Sequence, residues 1–128
     1  MSQRVLLTCM AIWVAVAVSL AAAQPTNEPC AGMTTAEMRE CLNQRYKQAD
    51  AALNQLYKQL MSQLSKKRQI KLREAQQAWV LFRDKSAAFV ANATEGGTME
   101  PLLSLSVLTS MTEKRVAELK DLLLLTSR

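Results

Sequence analysis

The sequence predicts an all-α protein, a small antiparallel bundle of about three long amphipathic helices that follow an N-terminal signal peptide and a short irregular arm. Three observations lead there. The 128 residues include only three Gly and three Pro, so few breakers interrupt a chain rich in Ala, Leu, Gln, Lys, Arg and Met, the good helix formers. Apolar residues recur at steps of three and four, and no segment alternates with the period of two that a half-buried strand needs. Histidine is absent, which removes the commonest proton shuttle and a frequent zinc ligand, and much enzymology with them.

The elements follow in order. Arg4 precedes an apolar run from Val5 to Leu20, and Ala21-Ala22-Ala23 then leads into Gln24-Pro25. This is a charged n-region, an h-region and an A-x-A site, so a signal peptide over residues 1–23 is expected to be cut between Ala23 and Gln24. The rival is an uncleaved anchor, because about 19 residues approach the length that crosses a bilayer. Small residues and a proline stand where an anchor carries basic flanks, which favours cleavage. Membrane contact is expected only through a retained leader. Cys9 follows Leu6-Leu7-Thr8, a poor lipoprotein box, and reads as a small apolar residue discarded with the leader. The product is exported, periplasmic or secreted, and its formal charge falls from +5 to +4 when Arg4 leaves.

Residues 24–33, with Pro25, Pro29 and Gly32, lack periodicity and form the irregular arm. Cys30 and Cys41 are the two thiols left, and export makes a disulfide between them the default; closing so short a loop contributes about 3 kcal/mol by chain-entropy reasoning. Two thiols without histidine are too few for a metal site, and no cofactor motif appears. The helical domain is assigned to residues 34–128. Thr34-Thr35-Ala36-Glu37 is a capping box that starts the first helix. Met38, Leu42, Ala49, Leu53, Leu56, Leu60 and Leu64 form its apolar stripe. Ser62 and Ser65 mark a weak break, with Ser65 able to cap a second helix and a continuous helix as the alternative. From Lys66 to about Ala91, Leu72, Ala75, Trp79, Phe82, Phe89 and Val90 are the expected inward positions. Asn92 to Thr98 is the one clear turn, and Pro101 suits the first turn of a third helix whose apolar residues run from Leu102 to Leu123. Asn92-Ala93-Thr94 matches a glycosylation sequon, a triplet that arises often by chance.

The order of motifs resembles a known family. Ala49-Asp50-x-x-Leu53-Asn54-x-x-Tyr57-x-x-Leu60 is followed by Leu72-Arg73-x-Ala75-Gln76-x-Ala78-Trp79-x-x-Phe82-Arg83-Asp84, by Gly96-Gly97, and by Thr112-x-x-Arg115-x-x-x-Leu119. This pattern is similar to the bacterial LprI-like family of exported domains, also called the lysozyme inhibitor LprI-like N-terminal domain. The resemblance implies an all-helical periplasmic or surface domain and, through a founding member, lysozyme inhibition. The family usually carries further cysteines after the Arg-Asp of the second helix and before the Thr-x-x-Arg of the third. Ser86-Ala87 and Ser106-Val107 stand in the matching stretches here, so the contact between those helices is expected to be held by packing alone and to be softer.

Tyr57, Trp79, Arg83 and Asp84 are the candidate partner-binding residues, since Trp, Tyr and Arg dominate binding hot spots. Their structural alternative is core packing of Trp79, Phe82 and Tyr57 between the first two helices, with Arg83 or Asp84 paired to Asp50 or Glu74. Lys66-Lys67-Arg68, with Lys71 and Arg73, lacks interleaved aromatics and reads as a solvated helix start, so no nucleic-acid partner is expected. Glu37 with Glu40, or Glu118 with Asp121, share helix faces, yet nothing signals the cleft and raised pKa that carboxylate catalysis needs. The chain therefore reads as a non-enzymatic protein-binding domain with no catalytic residues, whose partner is a protein of the lysozyme type. The alternative is a self-associating envelope structural or assembly factor, a homo-oligomer held through leftover apolar surface such as Leu122 to Leu125.

Overall fold

The computed structural model describes residues 29–94 and 96–126. The leader, its Ala23 and Gln24 cleavage point, Cys9 and the start of the arm lie outside the described residues. Three helices follow: α1 (Thr35–Gln63), α2 (Lys66–Ala91) and α3 (Glu100–Thr126), with one turn of 3-10 helix over Asn92–Thr94. There is no strand among the described residues, and the fold is the expected all-α bundle.

The capping box forms as its residues dictate. The Glu37 amide donates to the Thr34 hydroxyl, and the Glu37 carboxylate accepts from the Thr34 amide at 2.9 Å. The α1–α2 break falls at Leu64 and Ser65, both extended. Ser65 occupies the cap position but its hydroxyl makes no cap bond. Gln69 locks the turn instead, its side-chain amide donating to the carbonyls of Met61 at 2.8 Å and Leu64 at 3.0 Å, which satisfies carbonyls left orphaned at the helix end. Gly96 takes a positive φ of +73°, the conformation glycine adopts without steric cost, and its amide donates to Glu100 at the start of α3.

The helices run up, down and up, so that α1 and α3 are parallel and α2 opposes both. Each of α1 and α2 packs on α3, and they splay from one another. Two clusters hold α1 to α3. Leu53, Leu56, Leu60 and Leu119 form the larger, with Tyr57, Trp79, Val116 and Leu123 against it. Cys30, Leu42 and Leu102 form the other, with Met38, Cys41 and Leu105 alongside. The Cys30–Cys41 disulfide is present, so it ties the arm to α1 and also seats it against the start of α3. Between the clusters Arg45 grips Glu113 with two bonds of 2.9 and 2.7 Å.

The inward face of α2 differs from the expected one. Phe82 and Phe89 are 64% and 79% exposed, Ala75 is exposed, and Arg83, Ala87 and Ala91 are buried instead. Alpha2 carries apolar residues on two faces, and only α3 packs closely on it. The face with Ala87 and Ala91 is the one narrow enough for close approach. The α2–α3 contact is also not held by packing alone: Arg115 donates to Gln76 at 3.1 Å, and Arg83 reaches the Thr112 hydroxyl at 3.5 Å. On α3, Thr109 and Thr112 are fully buried, their hydroxyls donating back to the carbonyls of Leu105 and Leu108. Leu123 packs inward, whereas Leu122, Leu124 and Leu125 are exposed.

Candidate protein-binding groove

The splay of α1 from α2 leaves an open groove of about 480 Å³ between them. Alpha1 contributes Asp50, Leu53, Asn54 and Tyr57, which fall on one face because they are spaced by three and four. Alpha2 contributes Arg73, Gln76, Gln77, Val80 and Arg83 by the same spacing. Leu53 and Arg83 are buried at its base, Tyr57 is half-buried, and Asn54, Arg73 and Gln77 stand exposed at its rim. Asn54 donates to the Asp50 carboxylate at 3.1 Å and to the Asp50 carbonyl at 2.9 Å.

Behind the groove lies a ladder of alternating rings and guanidinium groups. The Arg83 guanidinium sits 5.9 Å from the Tyr46 ring centroid and 5.2 Å from that of Trp79, and Arg115 approaches Trp79 at 5.7 Å. Such contacts are worth about 0.5–1 kcal/mol when exposed and about 2 when desolvated. Arg83 lies toward the desolvated end, since it is 9% exposed. Its charge is met by the adjacent Asp84, with N–O distances of 2.9 and 2.8 Å, rather than by Asp50 or Glu74 as expected. Glu74 instead pairs with Lys71, and Arg115 with Glu118.

The four candidate binding residues thus separate. Tyr57 and Arg83 line the groove; Trp79 stands behind it against the leucine cluster, and Asp84 is spent on Arg83. Trp79 and Tyr57 do pack as core residues, although against α3 as well as α1, while Phe82 points away. Tyr46, Thr112, Gln76 and Arg115 also organise this region; the last three stand in the motifs of the resemblance, whereas Tyr46 stands outside them. Tyr46 was within reach of sequence reasoning, because it lies one helical turn before Asp50 on the same stripe.

Among the described residues, three of the carboxylates paired in sequence, Glu37, Glu40 and Glu118, are engaged in hydrogen bonds. Thr34 holds the Glu37 carboxyl below the ordinary carboxylate range, first through its hydroxyl and then through its amide, the reverse of what a general acid needs. Glu40 accepts from Gln44, and Glu118 from Arg115. Among the described residues, no three His, Cys, Asp or Glu are grouped to hold a metal, and no helix is long and apolar enough to cross a membrane.

The family model for the lysozyme inhibitor LprI matches residues 26–119, which include both walls of the groove. An uncharacterized protein of Rhizobium meliloti (strain 1021) is 30% identical over 115 residues, covering 80% of this chain and 83% of the relative. No solved structure matches. With the model spanning all three helices up to Leu119, the chain belongs to the LprI family, a family of inhibitors rather than enzymes.

Proposed function

We propose that this chain is an exported, non-enzymatic binding domain that inhibits lysozyme-type muramidases by seating a protruding segment of the enzyme in the α1–α2 groove and so covering its cleft. One observation carries this reading: two of the sequence blocks through which the chain resembles the family, Asp50-x-x-x-Asn54-x-x-Tyr57 and Arg73-x-x-Gln76, face one another across an open groove. Tyr57, Arg73 and Gln77 make no side-chain hydrogen bond among the described residues, so their donors and acceptors are available to a partner's backbone and polar side chains. Rigid helices on both walls keep the ordering cost of binding low. The Cys30–Cys41 disulfide suits an oxidising compartment, and an exported inhibitor would share that compartment with its muramidase.

Electrostatics shape the encounter. Many lysozymes are basic, and a chain of net charge +4 is repelled at long range, so the approach is led by local acidic groups such as Glu37, Glu40 and Asp50. Added salt should therefore speed association. The test is a turbidity assay of lysozyme-driven cell-wall lysis with residues 24–128. Wild type should slow lysis, and Tyr57→Ala, which removes a ring and a hydroxyl from the groove wall, should raise the inhibitor concentration required by about ten-fold with helicity unchanged. Undiminished lysis across animal and phage-type lysozymes, with no capture in a pull-down at two salt concentrations, rejects the reading.

A further inference from the structure

The two ends of the bundle differ in charge. The last turn of α1, the start of α2 and the last turn of α3 meet at one end, where Thr126 donates to Gln63 at 3.3 Å. From Gln59 to Arg73 the chain holds Lys66, Lys67, Arg68, Lys71 and Arg73 and no acid, and from Leu122 onward no acid occurs either. The nearest carboxylates, Glu74, Glu118 and Asp121, stand further in, and the first two are met by Lys71 and Arg115. Lys66, Lys67 and Arg68 are exposed and make no side-chain hydrogen bond or ion pair among the described residues. Side chains tilt toward the start of their helix, so these three lean over the end of the bundle. At the opposite end the acids Glu37, Glu40 and Glu100 outnumber the bases Arg39 and Lys85.

Apolar surface lies among the cations. Leu60, Leu64, Leu72 and Leu122 line a pocket of about 200 Å³ whose wall Arg68, Lys71 and Thr126 complete. Leu125, one turn beyond Leu122, is 68% exposed. We infer that this end docks on a bilayer bearing anionic headgroups, a route to a membrane that does not need the leader. Lys66, Lys67, Arg68 and Lys71 meet the phosphates, and Leu122 and Leu125 enter the acyl boundary. The attraction of a base to such a surface fades within a Debye length, so it acts at this end and the acid-bearing end turns away. The Lys71–Glu74 pair is exposed and is no obstacle, because such pairs are worth little. A hydrated polyanion would use the cations and leave the pocket and Leu125 in water, whereas a bilayer engages both. The contact is peripheral, since no helix among the described residues is long and apolar enough to cross. Tyr57 and Arg73, the groove residues nearest this end, lie nearly two turns further in. A docked molecule therefore keeps its groove open.

Protein exported from the full-length sequence and purified is sedimented with vesicles of phosphatidylcholine alone, and with vesicles holding an equal part of phosphatidylglycerol. Binding to the anionic vesicles should exceed binding to the neutral ones by at least about ten-fold at low salt, and should fall as salt is added. Lys67→Glu should weaken it by about ten-fold, and Lys85→Glu, the same charge change near the other end of α2, by less than about two-fold. Leu125→Ser should weaken it by about five-fold while leaving capture on immobilised polyphosphate unchanged. These side chains are exposed, so circular dichroism should show no change. Equal binding to both vesicle types, the mark of a retained leader, would overturn the inference, as would binding to neither. Equal losses from Lys67→Glu and Lys85→Glu would do the same. So would a Leu125→Ser protein that binds like wild type, which would make a polyanion the ligand. The groove takes no part in docking, so inhibition lost or kept in the lysis assay leaves this result standing.

Discussion

Alpha3 has two unlike sides. Toward α1 it buries Leu119 against Leu53, Leu56 and Leu60, with Leu102 against Leu42 and the disulfide at the far end. Toward α2 it offers Thr112 and Arg115 to Arg83, Trp79 and Gln76. The first seam is held by removing apolar area from water, a large and non-directional term. The second adds arginine stacking and a few hydrogen bonds, each modest and each dependent on angle, to the packing of Leu72, Trp79 and Ala87. The leucine seam therefore sets whether the chain folds, and the arginine seam sets where α2 lies and how wide the groove stands open. If that division is right, substitutions on the two seams should separate stability from binding.

The largest effect is expected from Leu119→Ala. Leu119 is fully buried, so the substitution should cost about 3 kcal/mol through lost transfer energy and a residual cavity. Urea denaturation should show a lower midpoint with an unchanged slope. Inhibition per folded molecule should stay at the wild-type level. A Leu119→Ala protein that is stable yet fails to inhibit would break the comparison.

Reduction of Cys30–Cys41 should come next, at about 3 kcal/mol or somewhat less. The loss should centre on one end of the molecule, because Cys30 packs on Leu42 and Leu102. Hydrogen exchange should then speed up in the first turns of α1 and α3 while the Leu60 and Leu119 region stays protected. Uniform loosening would mean that the two clusters are one cooperative unit.

Arg83 distinguishes the second seam. Arg83→Ala removes a stem and a guanidinium packed between Tyr46 and Trp79, and should cost about 2 kcal/mol. Arg83→Met fills the space and removes a charge that is expensive to bury, so it should cost much less. Thr112 is not orphaned by either change, since its hydroxyl still donates to the Leu108 carbonyl. Both variants should lose inhibition, because the base of the groove is altered. An Arg83→Met protein of wild-type inhibition would confine the arginine's role to stability.

The contrast between the seams also explains what the sequence disclosed. The stripe from Leu42 to Leu60 is regular, and burial follows it residue by residue. On α2, apolar residues occur on two sides, so periodicity alone does not decide which one α3 takes, and it places Phe82 and Phe89 inward where the structure exposes them. The buried inward residues include an arginine, which hydropathy places outside, and alanines, which carry too little signal. Alpha3 likewise buries Thr109 and Thr112 where leucines compete for notice. Tyr57 and Arg83 are legible as candidates by residue type, and both line the groove. The groove itself is not, because it arises from the splay of two helices around a third, a relation that no single stretch of sequence encodes.

The smallest effect concerns the Thr34–Glu37 box, and its sign can be worked out. The Glu37 carboxyl is held below its ordinary value in the folded chain by the hydroxyl and amide of Thr34. The folded state therefore binds that proton less readily than the unfolded one. The contribution is complete above the unfolded pKa and fades as pH falls through the depressed folded value. Because the group is exposed, the effect should be confined to fraying of the first turn of α1. A carbon-detected NMR titration should move Glu37 toward the ordinary carboxylate range in Thr34→Ala, which removes the hydroxyl and keeps the amide of residue 34, with the Cys41 and Leu42 amides little changed. Were the low value to persist unchanged in Thr34→Ala, its source would be the amide of residue 34 together with the helix dipole at the start of α1, and the hydroxyl half of the capping box would be incidental to it.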